Sequence, residues 1–444
     1  MFRHWKREFR APLAVLVAAL LTFVLARMYG PRCLQGPYLQ SPTTNSIVIR
    51  WRTTAVRPIE CTLRFGTQLG QLTGEIHSRP IGDEHEVILT NLLAGMRYYY
   101  SLHTSYRRIA GGEKCWFRTL PQPGSPQPLR AWILGDSGTG DARAAAVRDG
   151  FKRFAGSRGA DLILMLGDNA YENGTRFDHH RGLFLPFREW LWNAPLWPAL
   201  GNHDVIAQGR LKGTYPFHDF FTLPQRGQCG GAPSGQENYY SFDHGNVHFV
   251  CLDSTELTFS NHTAMVGWLA KDLEAAERQD WLIAYWHHPP YSMGHHDSDV
   301  EPESRLMRML VLSYLERYGA DLVLNGHNHS YGRSHLLQGH FGEGKTFNSE
   351  VHKQLPTPVE GKPVYRKPAR RGANQGTIYV VAGCSGKLDS KPLDHPAMEV
   401  RLNVAGSVVL DVEGARLDFN FVDEKGTARD AFRLLKQDRQ AENQ

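Results

Sequence analysis

Between residues 36 and 120 apolar and polar positions alternate with a period of two, in the short runs SIVIRWRT, CTLRFG, EHEVILTNL, MRYYYSLHT and EKCWFRTL. Each run is broken by turn residues. Such alternation buries one face of every strand and wets the other, which predicts an all-β sandwich the size of one immunoglobulin-like module. PQPGSPQP (121–128), with four prolines in eight residues, predicts a linker. After it the pattern changes. Nearly unbroken apolar runs (LRAWIL, ADLILML, LWPAL, NVHFVCL, DWLIAYW, ADLVLN, GTIYVVAG) end in polar loops, interspersed with helical periodicity over 142–155, 183–192, 264–277 and 302–318. This predicts an α/β domain whose functional groups collect where the strands end. Residues 396–436 return to period-two alternation and read as a β addition to that domain. Residues 338–375 are Gly-, Lys- and Arg-rich with little periodicity and read as a long loop near the mouth of the site. The expected division is a leader or anchor at 1–32, the sandwich at 33–120, a linker at 121–129, the α/β domain at 130–436 and a tail at 437–444.

Composition changes this picture only at the ends. Over 444 residues, 41% hydrophobic and 11% aromatic content suits packed domains rather than disorder. A net charge of +5 without a Lys/Arg block gives no support for nucleic-acid binding and is compatible with an anionic substrate. The basic start MFRHWKREFR followed by the uncharged APLAVLVAALLTFVLA (11–26) has the form of an export signal cut near Val24-Leu25-Ala26, or of a retained membrane anchor. The expected location is therefore secreted, periplasmic or otherwise outside the cytosol. Six cysteines fit an oxidising compartment without selecting a pairing; Cys61 with Cys115 is the expected pair because both lie in the sandwich, and Cys251 reads as a buried thiol.

Five polar clusters each follow an apolar run: Gly135-Asp136-Ser137-Gly138, Gly167-Asp168-Asn169-Ala170-Tyr171, Gly201-Asn202-His203-Asp204, His287-His288 and Gly326-His327-Asn328-His329. Taken singly, Asp136 or Asp168 reads equally well as a helix N-cap, Asn202 as a turn residue and Tyr171 as a partly buried aromatic. In an extended segment His327 and His329 would face the same side, spaced so that each reaches one of two metal ions about 3.5–4 Å apart. Hard oxygen donors and imidazoles together, all at strand ends, describe a dinuclear metal centre. Two carboxylates and a phenolate supply −3 against +5 from a trivalent and a divalent ion, leaving a cleft that favours a phosphate dianion.

The order GDSG, GDNAY, GNHD, AYWH, GHNH resembles the five-motif signature of the purple acid phosphatases, within the calcineurin-like metallophosphoesterases. LLAGMRYYYSL resembles the tyrosine corner of fibronectin type III domains, and GPYLQ (36–40) is similar to the segment that opens the larger family members. The resemblance covers about residues 36–436. It implies a fibronectin-like module followed by two β-sheets flanked by helices in an αββα sandwich. It also implies Asp136, Tyr171 and His329 on iron(III), Asn202, His287 and His327 on a divalent ion (zinc, manganese or iron), and Asp168 bridging them. His203 corresponds to a histidine that contacts phosphate or leaving group, and Asn202 lies beside it on the substrate side. His295 and His296 resemble the family's substrate-facing histidines, one of them the proton donor, although a solvated loop pair is an open alternative. His288 is expected to support the ligands from behind. The fourth motif begins with Ala284 where the family has valine, a packing position, and Cys384 in VVAGCSG is given no catalytic role.

The activity this implies is hydrolysis of small phosphomonoesters by a metal-bound hydroxide, with a histidine protonating the departing alkoxide. The same chemistry on phosphodiesters or nucleotides is the nearest alternative, and a non-catalytic cell-surface binding protein is a third.

Overall fold

The computed structural model describes residues 30–55, 57–80, 82–207, 215–255, 259–390 and 393–437, with Val15. Apart from Val15 and residues 30–32, the expected leader or anchor lies outside the described residues, as does nearly all of the expected tail. Among the described residues no helix is long and apolar enough to cross a membrane.

The N-terminal alternation folds as two antiparallel sheets. One pairs Cys33–Gln40, Ile47–Thr53 and Glu84–Leu89; the other contains Thr62–Gly66, Gly74–His77, Arg97–His103, Arg108–Ala110 and Trp116–Arg118. Their inward positions, among them Ile47, Ile49, Trp51, Leu63, Val87, Leu89, Tyr100 and Phe117, form one core. The expected tyrosine corner is present: the hydroxyl of Tyr98 accepts from the amide of Leu93 at 2.9 Å. The six cysteines are all free, which overturns the expected Cys61–Cys115 bond. Cys61 Sγ faces His85 in the opposite sheet at 4.0 Å, whereas Cys115 lies against Tyr100, so the two thiols are not aimed at each other.

The second part contains two eight-stranded sheets. In the first, Leu196–Pro198, Leu162–Met165 and Leu129–Leu134 run parallel, followed by Gly406–Glu413, Arg416–Asp423, Ala428–Gln437, Lys362–Pro368 and Thr357–Val359. In the second, Val247–Cys251, Trp281–Trp286, Leu322–Asn325 and Thr377–Ala382 run parallel, with Tyr240–His244 at one edge and Tyr331–Leu337, Lys353–Gln354 and Met398–Leu402 at the other. Both faces of the second sheet are covered, so its strands read as continuous apolar runs. In Trp281–Trp286 the residues Trp281, Ile283 and Tyr285 enter the core between the sheets. Leu282, Ala284 and Trp286 pack with Leu269, Leu273, Met307 and Leu315 of the outer helices. Ala284 is thus a packing position. On the far side, helix Ala142–Ala155 lays Phe151 on Trp132 at 4.1 Å, completing the αββα arrangement.

Several expected elements differ in detail. The 183–192 helix is a π segment, His180–Phe184, continued by Leu185–Leu191, and the 302–318 helix is broken at Val311 into Pro302–Leu310 and Leu312–Arg317. The expected β addition is present and sits in the middle of its sheet, where Gly406–Glu413 pairs directly with Leu129–Leu134. Residues 338–375 are not a long loop: Lys362–Pro368 runs parallel to Ala428–Gln437 within the first sheet.

Candidate metal centre

Each polar cluster sits at the C-terminal end of a parallel strand, three from the first sheet and two from the second, so the loops converge on one edge of the sandwich. Neither Asp136 nor Asp168 is a helix cap. Helix Ala142–Ala155 is capped by Asp141, and the short helix Arg176–His179 by Thr175. Asp136, Asp168 and His327 all have left-handed backbones, with φ of 55°, 53° and 67°. That conformation is costly for residues with side chains and persists where the surroundings enforce it, commonly at functional sites. The motif glycines let the loops come this close. A Cβ at Gly201 would lie 2.0 Å from the amide nitrogen of Asp168, and one at Gly326 would lie 2.5 Å from Oδ2 of Asp136.

Two groups of donor atoms meet there. Tyr171 Oη lies 3.0 Å from Asp136 Oδ1, 2.8 Å from Asp168 Oδ2 and 3.4 Å from His329 Nε2, and His329 Nε2 is 3.6 Å from Asp136 Oδ1. In the second group Asn202 Oδ1 is 3.0 Å from His287 Nε2 and 3.1 Å from His327 Nδ1, and the two imidazole nitrogens are 3.2 Å apart. Asp168 stands between the groups: Oδ2 faces Tyr171, while Oδ1 is 3.4 Å from His287 Nε2. All seven expected ligands are therefore in one place. His327 and His329 do not get there as neighbours on an extended strand; the left-handed turn at His327 sends the two rings to different groups.

The outer hydrogen bonds decide which nitrogens carry protons. His287 Nδ1 donates to the Leu166 carbonyl at 2.8 Å, His329 Nδ1 to Asp389 at 3.2 Å, and His327 Nε2 to Glu301 at 3.2 Å. In the neutral rings the inner nitrogens are then lone pairs. Asn202 Oδ1, His287 Nε2 and His327 Nδ1 form a triangle of acceptors with no proton among them. Its edges match the roughly 2.9–3.4 Å expected between ligands bound about 2.0–2.1 Å from one cation. The donor set thus fits a cation in the second group, and the phenol with two carboxylates fits a harder one in the first.

Burial, and then the charges of Asp136 and Asp168, hold the Tyr171 phenol far above its ordinary range, so it becomes a phenolate only beside a strong positive charge. Burial opposes protonation of His329, but its bonds to Asp136 and Asp389 outweigh that and raise it to about 10, so without a cation the inner Nε2 also carries a proton, which an ion bound there would displace. Burial lowers His327 to about 4, and His288, behind it, falls further. His288 packs 4.3 Å from the His327 ring and bonds Ser254 through Nδ1 at 2.9 Å, a supporting position.

The substrate-side candidates divide. His203 gives its amide to Asp168 Oδ1 at 2.9 Å and Nδ1 to the Glu172 carbonyl at 2.6 Å, leaving Nε2 as the free nitrogen, 4.0 Å from Asp168 Oδ2. His296 packs 3.8 Å from the His327 ring, tilted against it, and bonds Glu301 at 2.6 Å. His295 is exposed and meets His296 only edge-on. Cys384 is buried, its thiol pushed up to about 12 chiefly by burial, and bears no sign of reactivity. The sequence reading missed Glu301, Asp389 and the structural role of Asp204, which accepts from Gly201, from the Asn169 amide and from the Asn169 side chain.

Residues 129–331 match the calcineurin-like phosphoesterase family. Purple acid phosphatase 15 of Arabidopsis thaliana is 30% identical over 341 residues, 70% of this chain and 55% of that one. The Fe(3+)-Zn(2+) purple acid phosphatase 12 of the same plant is 23% identical over 65% of this chain and 62% of its own length. The chain thus spans little more than half the length of such relatives. Among solved structures, the purple acid phosphatase PPD1 of yellow lupin (Lupinus luteus) seeds superposes with a TM-score of 0.66 over 91% of this chain and 75% of its own, at 19% identity, a likeness of fold. This chain therefore carries a calcineurin-like phosphoesterase domain and is a relative of the purple acid phosphatases.

Proposed function

We propose that the protein is a dinuclear-metal phosphomonoester hydrolase of acid phosphatase type, exported by its N-terminal segment or tethered through residues 11–26. The division at 33–120, 121–129 and 130–436 is proposed as its domain organisation. The observation that carries the reading is the triangle of Asn202, His287 and His327 lone pairs set against Asp168 and the Asp136–Tyr171–His329 group. Asp136, Tyr171 and His329 would hold iron(III), and Asn202, His287 and His327 a divalent ion, with Asp168 shared. The relative named for Fe(3+) and Zn(2+) supports that pairing and leaves manganese or iron open for the divalent place. Bound there, such a pair supplies Lewis acidity and lowers the pKa of water in the site.

The chain's own residues do the rest. His203, fixed through its amide and Nδ1, offers Nε2 to a phosphate oxygen. His296, ordered where His295 is exposed, is the better proton donor to the leaving group. The mild positive balance of the chain is consistent with a small anionic phosphoester.

Metal analysis and a visible spectrum of the purified protein test the reading. Stoichiometric iron with an absorption band that Tyr171→Phe abolishes is expected, together with faster turnover of p-nitrophenyl phosphate than of its bis-ester. Iron-free protein, or a band that survives the substitution, would overturn the ligand assignment; preference for the bis-ester would move the function to phosphodiesters.

A further inference from the structure

We propose that Glu301 is a positioning residue that joins the two working parts of the site, one carboxylate oxygen orienting the metal-side His327 and the other orienting the substrate-side His296. The inference builds on the metal-site reading above. Glu301 sits at the N-terminus of helix Pro302–Leu310, where an acidic side chain would ordinarily cap the helix or rest in its dipole. Its side chain makes no capping bond. It turns instead into the site, 26% exposed, with Oε1 2.6 Å from His296 Nδ1 and Oε2 3.2 Å from His327 Nε2. The two imidazoles lie against each other between these contacts, tilted by 38° with ring centres 3.8 Å apart.

The consequence follows from proton placement. Each ring gives its outer N–H to the carboxylate, so His327 keeps a lone pair on Nδ1 toward Asn202 and His287, and His296 keeps Nε2 for the substrate. The backbone under His296 is held to the same motif. Its carbonyl accepts from Asn328, which lies between His327 and His329, and from the Ser292 hydroxyl. Ser292 and Ser298 close the loop with reciprocal hydrogen bonds. None of these restraints reaches the His295 side chain, which is exposed. Glu301 therefore selects which of the adjacent histidines works on substrate, and it does so through the residue that would hold the divalent ion.

Glu301→Gln tests this with little change of shape. A glutamine has one acceptor where the carboxylate has two, so its NH2 must face one imidazole N–H, and one ring must change tautomer or turn away. In the full-length protein, Zn2+ affinity measured by competition with a chromophoric chelator is expected to weaken by about 10- to 100-fold. kcat on p-nitrophenyl phosphate is expected to fall by about tenfold or more, with KM near the wild-type value. The Tm of the metal-free variant should match that of metal-free wild type, and Glu303→Gln, on the same helix, should leave Zn2+ affinity unchanged. Zn2+ affinity unchanged in Glu301→Gln, or a weakening matched by Glu303→Gln, overturns the proposal while leaving the metal site standing. Failure of the wild-type chain itself to take up Zn2+ overturns both. If Glu301→Gln lowers the metal-free Tm, Glu301→Ala decides: equal Zn2+ affinity to wild type, measured below the transition, shows a structural role only and overturns the proposal.

Discussion

Asp204 is fully buried, with Oδ1 taking the Asn169 amide at 2.9 Å and Oδ2 taking the Gly201 amide and the Asn169 side chain at 2.9 and 2.8 Å. Burial and the charge of Asp168 push its carboxyl up to about 7 despite these donors, and the donors in turn lock the GDNAY loop to the GNHD loop. Asp204→Asn cannot satisfy them, because whichever way the amide is turned its NH2 meets an N–H. Each buried donor left unpaired costs about 1–3 kcal/mol, so a loss of roughly 2–4 kcal/mol is expected by urea unfolding. Weaker binding of the divalent ion should accompany it, since Asn202 lies in the loop that Asp204 fixes. Unchanged stability would show that the carboxylate is dispensable. The residues that carry the site are legible in the sequence for a local reason: a carboxylate or imidazole directly after a buried apolar run stands out without knowledge of the fold. Glu301 and Asp389 are not legible that way. They lie in loops, and only the folded chain brings them to imidazoles 26 and 60 residues away. The Asp136 and Asp168 ambiguity likewise needed the structure, because Asp141 and Thr175 turn out to be the caps.

At the scale of elements, buried charge explains both a misreading and a pH response. Strand Lys362–Pro368 escaped the period-two pattern because one of its buried residues is Lys367, whose ammonium lies 2.8 Å from Asp321 and donates to the carbonyls of Ala320 and Gly376. Paired in this way, lysine occupies a core position that alternation assigns to an apolar residue. A comparable tie joins two strands to a helix. His248 on Val247–Cys251 bonds Asp243 on Tyr240–His244 at 2.7 Å and Asp272 on Phe259–Ala275 at 2.9 Å, and Asp272 also accepts from Ser241. Burial alone would lower His248, but the two carboxylates outweigh it and raise the ring to about 9. A histidine raised in the folded state stabilises fully below its unfolded value near 6.5, and that contribution disappears as pH climbs toward 9. The loss is on the order of 3 kcal/mol. Denaturant unfolding at pH 6.5 and 9.5 should show this fall in the wild type, whereas His248→Gln should begin less stable and lack that part of the pH dependence. Parallel pH profiles for the two proteins would refute the pairing.

Across the whole molecule the sandwich is not a loose appendage. Tyr38, on its first strand, is fully buried in the core of the phosphoesterase part, 4.7 Å from Phe184, and its hydroxyl donates to the Phe220 carbonyl at 2.8 Å. Tyr100 donates to the Trp192 carbonyl, and Arg50 to Asp219 and Thr222. Arg176, five residues past Tyr171, reaches Glu84 of the sandwich at 2.6 Å and Asp219 at 2.9 Å. These contacts fall on Arg176, Phe184, Trp192, Asp219, Phe220 and Thr222, on either side of Asn202 and His203 in the chain, so the module steadies one wall of the site from behind. Apolar burial continuous across a boundary couples the unfolding of both sides, while a small polar interface lets them unfold apart. Calorimetry of the wild-type protein is therefore expected to show one cooperative transition. Tyr38→Ala removes a large buried side chain at the junction, at a cost of about 3–5 kcal/mol by analogy with other aromatic truncations in cores, and should lower that transition or split it in two. Two separate transitions already present in the wild type, with Tyr38→Ala altering neither, would mean that the sandwich rests on its neighbour without supporting it.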